Sequence, residues 1–328
     1  MKLKLGVLGL GSIFHRVMTD LPNFRLVELY AVAARDGARA KAACEKYGAK
    51  KWYGSYEELL ADPAVDLVYI ATPHPFHKQH TLMSLKAGKH VICEKPFAMN
   101  DTEAVEMIRC AKENDRFLME AMWTRFLPAI RKLKELADSG ELGEIRHIHA
   151  DFSYLSEPDA ESRIFNPRLG GGSLLDVGIY PLSIIAFLLG TDMTFKSSAV
   201  RAFTGVDARF NAILQYKNGA TAGFMSGIDV NGLSRMTVYG TKAAVTIPDF
   251  WHAVRLEILR NGQTEVLTFP PENEGHHHQF DHAARSIAAG QLENELMPHA
   301  ETVRLMKIMT EMLRENEIFY PEAASTHQ

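Results

Sequence analysis

Apolar and polar positions along the first 123 residues fall into short apolar runs separated by stretches with helical periodicity. Alternation of that kind predicts a parallel sheet with crossover helices on both faces. Strands are predicted at Leu3 to Leu8, Leu26 to Ala33, Leu67 to Ala71, His90 to Glu94 and Phe117 to Ala121. Ser55 with Glu58 reads as a capping box that opens a helix on Leu59 and Leu60, and Asn100 with Glu103 opens another after Pro96. A further helix is predicted from about Pro128 to Ser139, closed by Gly140 in the left-handed conformation.

From Glu144 onward the period changes to two, first over Ile145 to Tyr154 and again from Thr194 after one helical stretch. Asn218-Gly219 and Asn261-Gly262 lie between such runs and predict tight hairpins with positive φ at both central residues. Helical patterning returns around Phe280 to Ala289 and Glu301 to Glu315, with a polar frayed end after Pro321. The fold class expected is α/β: an N-terminal Rossmann doubly wound parallel sheet over residues 1–123, then an α+β domain over residues 124–328 with a large open, predominantly antiparallel sheet. The C-terminal helix is free in this scheme to pack back on the first domain.

Composition narrows the partner. At 328 residues and 46% hydrophobic, the chain has room for two cores. The 36 Lys and Arg nearly balance 40 Asp and Glu, and no basic run offers a track for nucleic acid, so a small molecule is the expected partner. Met1 leads within two residues into a strand, with no charged leader or long apolar segment before it; a cytoplasmic protein with no membrane partner is expected. Cys44, Cys93 and Cys110 have no metal-ligand spacing and are expected to stay reduced. His276, His277, His278 and His282 look like metal ligands, but no Glu in zincin order and no Cys accompanies them, and no metal is expected. Met297, Met306, Met309 and Met312 have nearly helical spacing, which suits core or a subunit contact.

Candidate chemistry begins directly after the first strand, at Gly9-Leu10-Gly11-Ser12-Ile13-Phe14, which is close to the dinucleotide fingerprint G-x-G-x-x-G/A. Gly9 permits the tight turn, Gly11 a close approach of pyrophosphate, and Ser12 and Ile13 start the helix whose amides face the anion. Phe14 departs from the third position. The second strand ends in Ala33-Ala34-Arg35-Asp36. Arg35 offers a guanidinium for the 2′-phosphate of NADP; the other reading makes Arg35 a solvated loop residue, with Asp36 holding the ribose of NAD. Ala71-Thr72-Pro73-His74-Pro75-Phe76-His77 and Cys93-Glu94-Lys95-Pro96 follow the ends of two more strands, where an open α/β sheet places its ligand. Thr72, Pro73, His74, His77, Glu94 and Lys95 are accordingly cofactor-side candidates. Farther on, Gly170, Gly171 and Gly172 make a flexible approach, Ser173 serves as a cap, and Asp176 and Tyr180 fall four apart on the next helix. Gly178 between them suggests a close approach by ligand or backbone.

Taken together, Gly9-Leu10-Gly11, Ala71-Thr72-Pro73 with His77, Glu94-Lys95-Pro96 and Gly171-Gly172-Ser173-Leu174-Leu175-Asp176-Val177-Gly178-Ile179-Tyr180 resemble the glucose-fructose oxidoreductase and inositol dehydrogenase (Gfo/Idh/MocA) family over nearly the whole chain. Glu120-Ala121-Met122-Trp123-Thr124-Arg125-Phe126 and Arg163-Ile164-Phe165-Asn166-Pro167 look like its dihydrodiol dehydrogenase and NADP-dependent sugar dehydrogenase branch, as does Tyr180 where many members carry His. The resemblance implies an NAD(P)-dependent enzyme that oxidises a secondary hydroxyl of a cyclic diol or sugar, with Lys95 as a cofactor-contacting catalytic residue. Tyr180 would exchange the hydroxyl proton, helped by a cationic Lys95, because a free phenol with a pKa near 10 is about one part in a thousand ionised at neutral pH. Asp176 would orient substrate or Lys95, and Trp123 with Arg125 would line the substrate side. Three other readings stand beside this one: an NADP-sensing regulator without turnover, a glycosidase using NAD transiently, and an imine or enal reductase. A homodimer through the second sheet is expected, because its strands carry Phe224, Met225 and Ile228 beyond what one helical layer covers.

Overall fold

A computed structural model describes residues 2–270 and 272–321; the polar end expected after Pro321 lies outside them. The chain forms two compact units, one from the N-terminus through Trp123 together with Glu272–Met306, the other from Thr124 up to Pro271 and from Lys307 on.

In the first unit, strands β1 (Leu3–Leu8), β2 (Val27–Ala33), β3 (Lys51–Tyr53), β4 (Leu67–Ile70), β5 (His90–Glu94) and β6 (Leu118–Ala121) form one parallel sheet in the order β3-β2-β1-β4-β5-β6. Helices α1 (Ser12–Val17), α2 (Gly37–Tyr47), α3 (Tyr56–Ala61), α4 (His77–Lys86) and α5 (Asp101–Glu113) supply crossovers. The strand order reverses between β1 and β4, which opens the crevice at their carboxyl ends. Both capping expectations hold. Ser55 Oγ accepts from Glu58 N (3.2 Å), and Asn100 Oδ1 accepts from Glu103 N (2.9 Å) while the Glu103 carboxylate accepts from Met99 N (3.1 Å). The short strand β3 was not predicted, because its three residues have no buried face to impose a period.

The second unit contains α6 (Pro128–Asp138), β7 (Ile145–Ser153), α7 (Ile179–Leu189) and strands β8 (Met193–Arg201), β9 (Asp207–Tyr216), β10 (Thr221–Gly227), β11 (Met236–Gly240), β12 (Ala244–Ile247), β13 (Arg255–Arg260) and β14 (Gln263–Thr268). These eight strands make a sheet in the order β14-β13-β12-β11-β7-β10-β9-β8. Only β7 and β10 pair in parallel, so the sheet is mixed and predominantly antiparallel. Asn261 and Gly262 both take positive φ, and the two-residue loop joins Arg260 to its partner Gln263 as predicted. Asn218 does not follow. Only Gly219 has positive φ (+85°), while Asn218 Oδ1 accepts from Ala220 N (3.0 Å), so the turn is a longer type closed by one left-handed glycine. Phe224 and Ile228 are buried, which corrects the expectation that they lie uncovered. The apolar residues on the open side include Ile213, Tyr239 and Leu259, each at least 45% exposed.

The chain then adds α8 (His277–Ala288) to the first unit, and α9 (His299–Glu315) completes the helices. Phe280 of α8 stacks on Phe24 (4.8 Å) and meets Tyr69 edge-on (5.2 Å), closing that side of the parallel sheet. Met297, Met306, Met309 and Met312 are all buried, and Cys44, Cys93 and Cys110 are free and buried. The apolar run Pro167–Leu189 is 23 residues long, enough to cross a membrane, but its most apolar window is 83% buried in the protein.

Candidate active site

Gly9 sits at the end of β1 with φ +92°, and a Cβ there would come within 2.8 Å of the Ala71 carbonyl carbon and oxygen. No other residue fits. At Gly11 a Cβ would meet nothing within 4 Å, so the backbone here opens onto space that a ligand phosphate can approach. Ser12 and Ile13 open α1 beside it. Phe14, where the fingerprint has a small residue, is fully buried and packs edge-on against Tyr47 at 5.3 Å, so an aromatic contact replaces close backbone packing.

Beyond β2 the two neighbours Arg35 and Asp36 have different surroundings. Asp36 caps α2, its Oδ1 accepting from Ala38 N (2.9 Å) and Arg39 N (3.4 Å), so that carboxylate is committed to the helix. Arg35 is exposed, and its charge bears on Tyr56 and His80, whose rings meet edge to face at 4.8 Å. Arg39, one turn on, reaches across to donate to the Leu10 carbonyl (3.1 Å) in the glycine turn. Arg39 was not singled out from sequence, although its i,i+4 spacing from Arg35 is a readable signal.

At the ends of β4 and β5 the cofactor-side candidates converge. His77 is fully buried, and its ring nitrogens lie 2.8 Å from the Thr72 carbonyl and 2.9 Å from the Pro96 carbonyl, bracing one strand end against the other. Burial holds its pKa down to about 4 against the pull of those carbonyls. Thr72 Oγ1 pairs with His80 Nδ1 (3.0 Å), and His74 packs edge-on to His77 at 5.7 Å, next to half-buried Pro73. Glu94 accepts from the Tyr69 hydroxyl (2.5 Å) and from Lys95 N (3.2 Å), which fixes the backbone that presents half-buried Lys95. Trp123 stacks on His276 at 4.1 Å, with His276 and His277 set near buried Asp20. Among the described residues, no group of three His, Cys, Asp or Glu is arranged to hold a metal ion.

The later motif lies in the second unit and differs from expectation in three respects. Its glycines serve close packing: a Cβ on Gly171 would lie 2.4 Å from the Ile164 carbonyl oxygen, and Gly172 has φ +111°. The segment Leu174–Gly178 is a π-helical turn leading into α7, and Ser173 does not cap it; Asp207 from β9 does, accepting from Ser173 Oγ (2.7 Å) and Leu174 N (2.6 Å). Gly178 makes room for Ser226 of β10, 3.0 Å from a would-be Cβ, so the close approach is by the protein itself.

Asp176 is buried, and both oxygens of its carboxylate are held. Tyr154 Oη donates to Oδ2 (2.7 Å), and Arg163 Nη1 lies 3.1 Å from Oδ1. Tyr180, in the first turn of α7, acts electrostatically on both partners. Burial and the Asp176 charge push the Tyr154 hydroxyl well above the usual range, so it remains a donor. Phe152 meets Tyr180 edge-on (5.2 Å) and stacks on half-exposed Trp251 (5.4 Å, 12° between planes). Tyr154, Phe152 and Trp251 escaped the sequence reading because each pairs with a residue remote along the chain. Arg125 takes a different place from the one expected. It is fully buried, donates to Ser183 Oγ (2.8 Å) and the Ser183 carbonyl (2.7 Å), and lies over the Phe187 ring, so it locks its segment to α7 instead of lining an open surface.

Comparison with known proteins gives consistent relatives. Residues 3–122 match the model of an oxidoreductase family with an NAD-binding Rossmann fold, and residues 130–246 match the GFO/IDH/MocA C-terminal domain. Trans-1,2-dihydrobenzene-1,2-diol dehydrogenase from Mus musculus is 35% identical over 98% of this chain and 99% of its own, and that from Homo sapiens is 34% identical with the same coverage. Among solved structures, aldose-aldose oxidoreductase from Caulobacter crescentus superposes with a TM-score of 0.88 at 27% identity, covering 97% of this chain and 98% of its own. A 3-ketoreductase from Actinomadura kijaniata, solved with NADP and TDP-benzene, gives 0.86 at 25% identity, covering 96% and 98%.

Proposed function

Because this chain belongs to the GFO/IDH/MocA oxidoreductases and carries their NAD(P)-binding Rossmann domain, we propose that it oxidises a secondary hydroxyl of a cyclic diol or sugar with NADP, and runs the reverse reduction. The observation that carries this reading is the surroundings of Tyr180: a stacked Phe152–Trp251 wall on one side, and the held carboxylate of Asp176 close by. An aromatic wall suits the apolar face of a ring, and a carboxylate is an acceptor for hydroxyl donors.

NADP supplies the hydride acceptor when bound. The residues that would hold it are Gly9, Gly11, Ser12 and Ile13 at the pyrophosphate, Arg35 with Arg39 at the 2′-phosphate, and Thr72, Pro73, His74, Glu94 and Lys95 along the strand ends. His77 keeps those ends in register. The commitment of Asp36 to capping α2 supports NADP over NAD, since this is the carboxylate that the end of β2 offers to a ribose diol. In this reading Tyr180 takes the proton of the reacting hydroxyl, Lys95 favours the ionised phenol, and Asp176 orients the substrate.

The test is a panel of sugars and cyclic diols, followed by nicotinamide absorbance with NADP and with NAD. Steady reduction of NADP by a ring-bearing hydroxyl compound is expected. Binding of NADP without turnover of any member would instead indicate a sensing role, and substrate cleavage with no net absorbance change a glycosidase.

A further inference from the structure

Resting on the reading that Asp176 orients the substrate, we propose that Tyr154 and Arg163 are positioning residues acting through Asp176, which together hold its carboxylate as a fixed acceptor for substrate hydroxyls. The three residues come from two segments, the loop after β7 and the π-helical turn. Tyr154 follows β7, Arg163 lies in the loop after it, and Asp176 is in the π-helical turn. Backbone contacts hold these segments: Tyr154 N donates to the Gly227 carbonyl (3.0 Å), Gly172 N to the carbonyl of Ile164 next to Arg163 (2.8 Å), and Asp176 N to the Gly172 carbonyl (3.2 Å). Gly171 is part of the same device. A Cβ there would fall 2.9 Å from the Arg163 carbonyl oxygen, so only glycine lets the Arg163 loop lie against the run leading to Asp176.

The chemistry of the two partners is complementary. A carboxylate buried without a cation tends to take up a proton, and a protonated carboxyl donates where an acceptor is needed. The Arg163 guanidinium supplies the compensating charge at 3.1 Å, and the charge of Asp176 in turn raises the pKa of Arg163. Tyr154 adds a neutral donor on the other oxygen, which fixes the rotation of the carboxylate and favours its ionised form to a smaller degree than the cation does. Tyr180, from α7, interacts electrostatically with both Tyr154 and Arg163, so the clamp lies within electrostatic reach of the phenol assigned to proton exchange.

The experiment compares Arg163→Gln, Arg163→Lys and Tyr154→Phe in the full chain, with Asp176→Asn as reference. One readout is the carboxyl titration of Asp176 by carbon NMR of aspartate-labelled protein, its signal identified by loss in Asp176→Asn; the other is the pH profile of kcat/KM on the best substrate found. In Arg163→Gln the Asp176 midpoint should rise by about one pH unit or more, and the acidic limb of kcat/KM should move with it. Arg163→Lys should restore most of the shift, and Tyr154→Phe should move both readouts less in the same direction. Placed in the Asp176→Asn background, neither change should shift the profile further. An unmoved midpoint in the folded variants, or activity lowered by the same factor at every pH, overturns the proposal. Absence of turnover in the wild type on every diol and sugar would instead reject the functional reading, and the NMR midpoints would still decide the clamp.

Discussion

Asp207 offers the sharpest test of how the motif is anchored. It is fully buried under the π-helical turn that carries Asp176, and accepts from Ser173 Oγ at 2.7 Å and Leu174 N at 2.6 Å on one oxygen. Its other oxygen has no hydrogen-bond partner among the described residues. Burial outweighs the donors and pushes its pKa up from an ordinary 3.8 to about 6. A carboxyl whose folded pKa is raised keeps its proton in the native state while the unfolded chain has lost it. Its contribution is therefore fully present below about 3.8 and is lost as pH rises through about 6. At about 1.4 kcal/mol per pH unit, that interval corresponds to roughly 3 kcal/mol. Asp207→Asn keeps the shape and one acceptor oxygen but does not titrate. Buried His77 and His80, with pKa values held near 4, act in the opposite sense, since stability falls when pH drops toward 4 and the unfolded histidines charge first. Both proteins share that dependence, so it cancels in the difference. Urea unfolding of wild type and Asp207→Asn from pH 4 to pH 7.5 should show the variant gaining roughly 3 kcal/mol on the wild type across this interval. Parallel curves would refute the reasoning, because they would mean that Asp207 has the same proton occupancy folded and unfolded.

Three further outcomes follow from the sites described. Arg35→Ala should weaken NADP binding by roughly 1.5 to 3 kcal/mol and leave NAD little changed, measured by calorimetric titration; equal losses for both would remove Arg35 from the 2′-phosphate. Lys95→Met and Tyr180→Phe should each lower turnover on the order of 10² to 10⁴-fold while the double variant is barely worse, and Tyr180→Phe should retain NADP affinity; near-normal turnover by Tyr180→Phe would pass the proton to another group. A homodimer through the open side of the eight-stranded sheet should sediment at twice the monomer mass at micromolar concentration, and a charged residue at Ile213 should dissociate it; a wild type that stays monomeric would exclude that use of the face.

What the sequence displays well is what a short window determines. Gly9 is demanded by a turn between adjacent residues, the Ser55 and Asn100 caps act over three residues, and Asn261-Gly262 specifies a two-residue loop through its own φ preference. Strands with one buried face are legible for the same reason, which is why the unprotected β3 is not. The candidate site depends on longer reach. Ser173 has the composition of a cap, but its hydroxyl turns to Asp207, 34 residues away, because a buried carboxylate from β9 reaches the free amide of Leu174 and satisfies it first. Arg125 has the composition of a ligand-side residue, but Ser183, 58 residues on, and Phe187 take its guanidinium into the core. Asp176 stands out in sequence only as one acidic residue of a motif; its carboxylate is held by Tyr154 and Arg163, which no spacing ties to it. The types of residue available for catalysis are thus local information, whereas their protonation states and orientations belong to the packing of β7, β9 and α7. Variants of the partner residues Asp207, Tyr154 and Arg163 consequently test the site more severely than variants of the motif itself, since they change its electrostatics while leaving every motif residue in place.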